Sequence, residues 1–282
     1  IQAVIKILKS NWLTQGPQVE NFERALKLKF GGKYCAVVSN GTAALHLAGL
    51  ALGWKKTDII LTTPISFLAS SNSILYSNAR PDFVDIDNVT YNIDINKLEK
   101  KIRQLNFKSK KVKAVIATDF AGNPCDWKSL KEIATKYRIK LINDNCHAIG
   151  ATYNNDQKYA VKYADIVTHS YHPVKNITTG EGGAIFTNDK KIFDKIKVLR
   201  SHGVVREQKK FLLNHGPWYH EMHELGYNYR ITDFQCALGI SQLKKIRKFI
   251  KRKRDIAKIY NKSFSDDVNF LIDLCLKHTE NL

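Results

Sequence analysis

Short apolar runs and amphipathic stretches alternate along this chain. Seven runs, 34–40, 58–64, 81–87, 113–120, 140–146, 165–171 and 183–189, are rich in valine and isoleucine and mostly lack a strict in-out alternation. That pattern suits strands covered on both faces. Helical patterns lie between several of them. PQVENFERALKLKF opens with Pro17 near a helix start. GTAALHLAGLAL is apolar nearly all round, which predicts a buried helix. DINKLEKKIRQL and DWKSLKEIATKYR are amphipathic, each with an aspartate placed to cap its start. IQAVIKILKSNWL reads as an amphipathic helix and not a signal peptide, because it has no long apolar stretch and no small-residue cleavage site. From about 231 to 262 the pattern is helical, and 203–225 reads as a long mobile loop. Strands alternating with helices predict an α/β domain built on a mainly parallel sheet. The expected division is a large domain over 1–245 and the start of a second, C-terminal domain over 246–282.

Composition narrows the picture. The 282 residues, 44% of them hydrophobic, are enough for one large core. No apolar run approaches the roughly 18 residues that span a bilayer, so no membrane partner is expected. Five scattered cysteines without CxxC spacing argue against a zinc site or a disulfide framework, and for a reducing cytoplasm. The net charge of +19 raises nucleic-acid binding. Much of the excess, however, falls in 244–262, where Ile246, Phe249, Ile250, Ile256 and Ile259 recur at helical spacing. The basic residues there are expected on a solvated helix face, and no nucleic acid is expected as a partner.

The candidate chemistry lies at the ends of the runs. Lys175 sits in SYHPVKNITTGEGG, a polar loop flanked by hydroxyls, glycines and the imidazole of His172. A lysine so placed suits Schiff-base chemistry with a carbonyl. Ser39-Asn40-Gly41-Thr42 follows the first strand and opens a helix, where backbone N–H groups and the dipole favour an anion, though an ordinary strand-to-helix turn has the same composition. Asp144 and His147 end another strand, where ligands bind in open parallel sheets. A buried carboxylate there needs a partner, and a pyridinium nitrogen is one; a structural aspartate beside an exposed histidine is the plainer alternative. Phe67 follows a strand and is either a ring for a flat cofactor or a core aromatic. Ser170 could donate to a phosphate, and Asn228 and Arg230 could bind an anion.

The segments LTQGP, SNGTAALHLA, TTPISFLASSN, DNCHAIGA, SYHPVKNITTGEGGAIFTND, LRSHG and GYNYRITDFQCALGISQLKK, in this order, resemble the DegT/DnrJ/EryC1/StrS sugar aminotransferases over essentially the whole chain. The resemblance implies fold type I, with a seven-stranded, mostly parallel sheet between helices, and pyridoxal 5′-phosphate as cofactor. It implies an amino transfer from L-glutamate to a 4-keto-6-deoxy sugar nucleotide. The PISF and HPVK-ITTGEGG wording is most similar to members acting on UDP-linked sugars for pseudaminic acid. Perosamine-type or 3-amino-sugar members, and a truncated non-catalytic paralogue, are the alternatives. Lys175 then resembles the Schiff-base lysine and Asp144 the partner of the ring nitrogen. His147 is matched to the phenolic oxygen and Phe67 to ring stacking. Gly41, Thr42 and Ser170 match the phosphate cradle, joined by Asn228 from the neighbouring subunit of a homodimer with shared sites. Asn11, Trp12, Leu13 and Thr14 match the segment touching the sugar nucleotide. No metal is implied. Set against the family, the chain is expected to lack the first residues and most of the small C-terminal domain, and so to bind cofactor better than it turns over.

Overall fold

The apolar runs become strands wherever β-branched residues can be buried on both sides. In the computed structural model the described residues are 1–205, 211–213, 216 and 218–264. Among them the elements run in this order: α1 Gln2–Leu8, α2 Pro17–Phe30, β1 Tyr34–Val38, α3 Gly41–Ala51, β2 Ile59–Thr62, α4 Ala69–Tyr76 and β3 Arg80–Phe83. There follow α5 Ile95–Phe107, β4 Val112–Thr118, a 3-10 turn Phe120–Gly122, α6 Trp127–Tyr137, β5 Lys140–Asp144, α7 Tyr159–Tyr163, β6 Ile166–Ser170 and β7 Gly183–Thr187. The described part ends with α8 Lys190–Arg200, β8 Val204–Val205, β9 Glu221–Met222, α9 Asp233–Leu243 and α10 Ile246–Phe264.

All seven expected strands form one sheet in the order β1-β7-β6-β5-β4-β2-β3. β7 runs antiparallel to both β1 and β6, and the remaining pairs are parallel. β1 and β2 illustrate the double burial, with every residue but Tyr34 inside, whereas the edge strand β3 is largely open. One face packs on α2, α5, α6 and α9 through Phe22, Leu26, Leu98, Trp127 and Leu130. The other packs on α3, α4 and α8 through Leu45, Leu47, Ile74 and Ile196. Burying each such side chain contributes about 1.5–3 kcal/mol.

The caps fall where expected: Asp94 accepts from Lys97 N and Asp126 from Ser129 N. Other expectations are corrected. The helical region after 231 is two helices, broken at Lys244–Lys245. Ile246 and Ile250 at the start of α10 are buried in the main core, but Ile259, expected on the same apolar face, is exposed. Within 203–225, β8 and β9 pair antiparallel, where the composition suggested only loop; residues 206–210, 214, 215 and 217 lie outside the described set, as does 265–282 of the expected C-terminal domain. The short helices α4 and α7 escape a periodicity reading because each is too brief to show a repeat. Among the described residues no helix is long and apolar enough to cross a membrane, and no cluster of metal-ligating side chains occurs.

Candidate active site

Parallel pairing puts the carboxyl ends of β4, β5 and β6 side by side, so the residues that end these strands converge. Thr118 pairs with Asp144, and Asp144 with Thr168. Asp144 is buried. Its Oδ2 accepts from Ser70 Oγ at 2.8 Å, and its Oδ1 from Cys146 N at 3.3 Å. Ser70 belongs to a chain of hydroxyls: Ser66 Oγ lies 3.0 Å from Ser70 Oγ and 3.1 Å from Thr118 Oγ1.

Lys175 belongs to the β6–β7 loop, where its own N–H bonds His172 O at 2.9 Å. Burial and, next, the Lys175 ammonium hold the His147 imidazole below its ordinary pKa, and Asp144 pulls the other way. His147 is therefore neutral near pH 7, close to both groups, and its Nδ1 is buried without a partner among the described residues. The ring also meets Phe120 edge-on, 6.1 Å between centroids. From α10, Lys253 Nζ donates to Asn176 Oδ1 at 2.8 Å, tying that helix to the lysine loop. A cleft of about 280 Å³ opens beside them, lined by Lys175, Asn176, Phe249, Arg252 and Lys253.

The turn after β1 faces Ser170 at the end of β6. Asn40 caps α3 by accepting from Ala43 N at 2.7 Å, and among the described residues no capping side chain serves the N–H groups of Gly41 and Thr42. A Cβ on Gly41 would fall 2.8 Å from Ser170 Cβ, so only glycine lets the two segments approach this closely. The α3 N-terminus thus lies against Ser170, a position where backbone N–H groups and the helix dipole favour an anion.

Lys175 and Asp144 both act electrostatically on His147, and Gly41, followed by Thr42, lies against Ser170. Phe67 is 68% exposed, which rules out a core role; its carbonyl accepts from Ser70 N at 3.1 Å. Asn228 is exposed, although its neighbour Tyr229 bonds Ser39 N through its carbonyl at 2.9 Å. Arg230 lies elsewhere, in a cleft of about 880 Å³ with Thr14, Gln15, Lys197, His202 and His220. Asn11, Trp12 and Leu13 lie exposed between α1 and α2, with Leu13 O accepting from Asp233 N at 3.2 Å. Sequence reasoning passed over Ser70, Asn176 and Lys253. Ser70 sits inside TTPISFLASSN, but a serine in a polar turn carries no signal of the aspartate it serves.

A pyridoxal phosphate fits these residues. A buried carboxylate suits its ring nitrogen, the orphaned His147 nitrogen suits a ring oxygen, and the glycine turn suits its phosphate. Comparison with known proteins gives the same class. The model of the DegT/DnrJ/EryC1/StrS aminotransferase family matches residues 1–279. The UDP-4-amino-4,6-dideoxy-N-acetyl-beta-L-altrosamine transaminase of Campylobacter jejuni is 42% identical over 270 residues, 96% of this chain and 68% of that protein. The structure of Helicobacter pylori PseC, an aminotransferase involved in pseudoaminic acid biosynthesis, superposes with a TM-score of 0.83 at 34% identity, covering 95% of this chain and 68% of PseC. Bacillus subtilis NtdA with bound cofactor PMP gives a TM-score of 0.80 at 29% identity, over 95% of this chain and 57% of NtdA.

Proposed function

Because the chain belongs to the DegT/DnrJ/EryC1/StrS aminotransferase family, we propose that it moves an amino group from L-glutamate to a UDP-linked 4-keto-6-deoxy sugar in the making of pseudaminic acid or a related surface sugar. What supports this reading is the buried Asp144 at the end of β5, with Lys175 and Asp144 both acting on His147, and the close approach of Gly41 to Ser170. The relatives named for UDP-altrosamine amination and pseudoaminic acid biosynthesis support the choice of sugar.

When bound, pyridoxal phosphate supplies an electron sink for the donor's α-carbon. The residues do the rest. Gly41 and Thr42 N–H groups and the Ser170 hydroxyl hold the phosphate. Asn228 of the partner subunit reaches the same group, which makes the working unit a homodimer. Asp144, steadied by Ser70, keeps a proton on the ring nitrogen. His147, held neutral by burial and by Lys175, hydrogen-bonds the phenolic oxygen, and Phe67 covers one ring face. Lys175 Nζ would hold the cofactor through its aldehyde carbon, and the freed amine would carry a proton to and from the donor's α-carbon, as base and then as acid. One carrier serving two substrates gives ping-pong order. Asn11, Trp12, Leu13 and Thr14 line the approach of the sugar nucleotide. A division near residue 245, with α10 leading into a C-terminal domain, belongs to this proposal.

Absorbance of the purified protein, scanned before and after adding L-glutamate, tests it. A visible cofactor band that glutamate bleaches, and that Lys175→Ala lacks, is expected. A wild-type protein without such a band, or a fully active Lys175→Ala variant, overturns the reading.

A further inference from the structure

We propose that Asp119 is a positioning residue that aims Asp144 by clamping the two residues on either side of it. Asp119 follows β4 and is fully buried. Its Oδ2 accepts from Asn143 Nδ2 at 3.1 Å, Asn145 Nδ2 at 2.8 Å and Tyr159 OH at 2.7 Å. Its Oδ1 accepts from Cys125 N at 2.8 Å and Trp127 Nε1 at 2.9 Å. Its own N–H donates to Asp144 O at 3.3 Å.

Successive side chains on an extended segment point to opposite faces. Asn143 and Asn145 therefore point one way, toward Asp119, and Asp144 points the other, toward Ser70. Two amides held by one carboxylate oxygen fix the rotation of the backbone between them. That rotation sets where the Asp144 carboxylate is aimed, and Asn145 is held from its backbone as well, its N–H bonding Thr168 O at 3.0 Å. All five groups around Asp119 donate, so the side chain is needed as a double acceptor. Asparagine cannot replace it: whichever way the amide turns, its NH2 meets donors. The carboxylate stays buried at a cost, since burial raises its pKa against the pull of these hydrogen bonds, and clamping the Asp144 segment is what that arrangement achieves.

The inference rests on the proposed role of Asp144, and the experiment separates the two. The ring nitrogen of bound, 15N-labelled pyridoxal phosphate is titrated by NMR in the wild type and in Asp144→Asn, Asp119→Asn, Asn145→Ala and Trp127→Phe. Thermal midpoints of the cofactor-free proteins are measured in parallel. A mis-aimed Asp144 stabilises the protonated ring less, so Asp119→Asn is expected to lower the ring-nitrogen pKa by about one unit. It should also slow the glutamate half-reaction by about 10–100-fold, with KM for glutamate little changed. Asn145→Ala, which leaves four donors on Asp119, should move the titration in the same direction by less, and it decides the matter if Asp119→Asn does not fold. Trp127→Phe removes a donor outside the clamp and should lower the midpoint without moving the titration. If Asp144→Asn leaves the titration unchanged, the reading of the site itself falls. If Asp144→Asn moves it while Asp119→Asn and Asn145→Ala overlay the wild type, or if every variant including Trp127→Phe moves it in step with lost stability, the clamp alone falls.

Discussion

Ser70 donates its hydroxyl to Asp144 across 2.8 Å, joining the first turn of α4 to the end of β5. Both residues are almost fully buried, so the bond is to a charged group shielded from water. Ser70→Ala should destabilise the protein by about 1.5–3 kcal/mol, the range for hydrogen bonds to charged groups. It should also slow amino transfer while leaving the glycine cradle intact. Urea unfolding at pH 7 and single-turnover rates check this; an unchanged unfolding midpoint would show that the carboxylate finds another donor.

Gly41→Val places a Cβ 2.8 Å from Ser170 Cβ, which is the rigid base of that side chain and not a flexible tip. The cradle must open. Affinity for pyridoxal phosphate should fall by about tenfold or more, equivalent to about 1.4 kcal/mol, as read by cofactor titration of the cofactor-free protein. Equal affinity would remove Gly41 from the phosphate site.

Asp233 at the start of α9 caps α2 from far along the chain. Its carboxylate accepts from Gly16, Gln18 and Val19 N–H at 3.0–3.2 Å, across sequence separations of 214–217. α2 itself begins at Pro17, with Gly16 as its cap residue and no side-chain cap of its own. Asp233→Ala should cost about 2–4 kcal/mol, a lost cap plus buried N–H groups left without an acceptor. It should also loosen the 11–16 segment. Denaturant unfolding measures the first effect, and proteolysis near Trp12 the second; a loss below about 0.5 kcal/mol would contradict the assignment.

His169 is fully buried between Phe30 and Phe186, and burial lowers its pKa to about 3. Below the unfolded-state value of about 6.5, the unfolded chain takes up a proton that the native imidazole refuses. Stability present above that pH is therefore lost on acidification, down to the folded pKa. From pH 6.5 to 5 the loss from this one group is about 2 kcal/mol. His169→Gln should flatten the pH dependence of the unfolding free energy over that window; an identical slope would place the proton uptake elsewhere.

Six strands of the sheet were legible because a strand buried on both faces must be a short run of apolar, β-branched residues; the open edge strand β3 follows from its place in the alternation and not from burial. The caps at Asp94 and Asp126 were legible because a cap serves N–H groups only a few residues away. β8 and β9 were not, since two-residue strands have no period to detect. The exposed Ile259 was misread because helical spacing marks a face but not what, if anything, covers it.

The sequence by itself determined the α/β alternation, the lysine loop, the glycine turn and the aspartate at a strand end, since each is written in neighbouring residues. Only the tertiary structure decided that Ser70 serves Asp144, that Asp119 holds Asn143 and Asn145, that Asp233 caps α2, and that Lys253 grips the lysine loop. These bonds join groups from different elements, and local pattern carries no record of which strand ends a parallel sheet will set side by side. Chain segments meet there because burying both faces of the sheet fixes the strand order, and the polar side chains at the strand ends must then satisfy one another away from water.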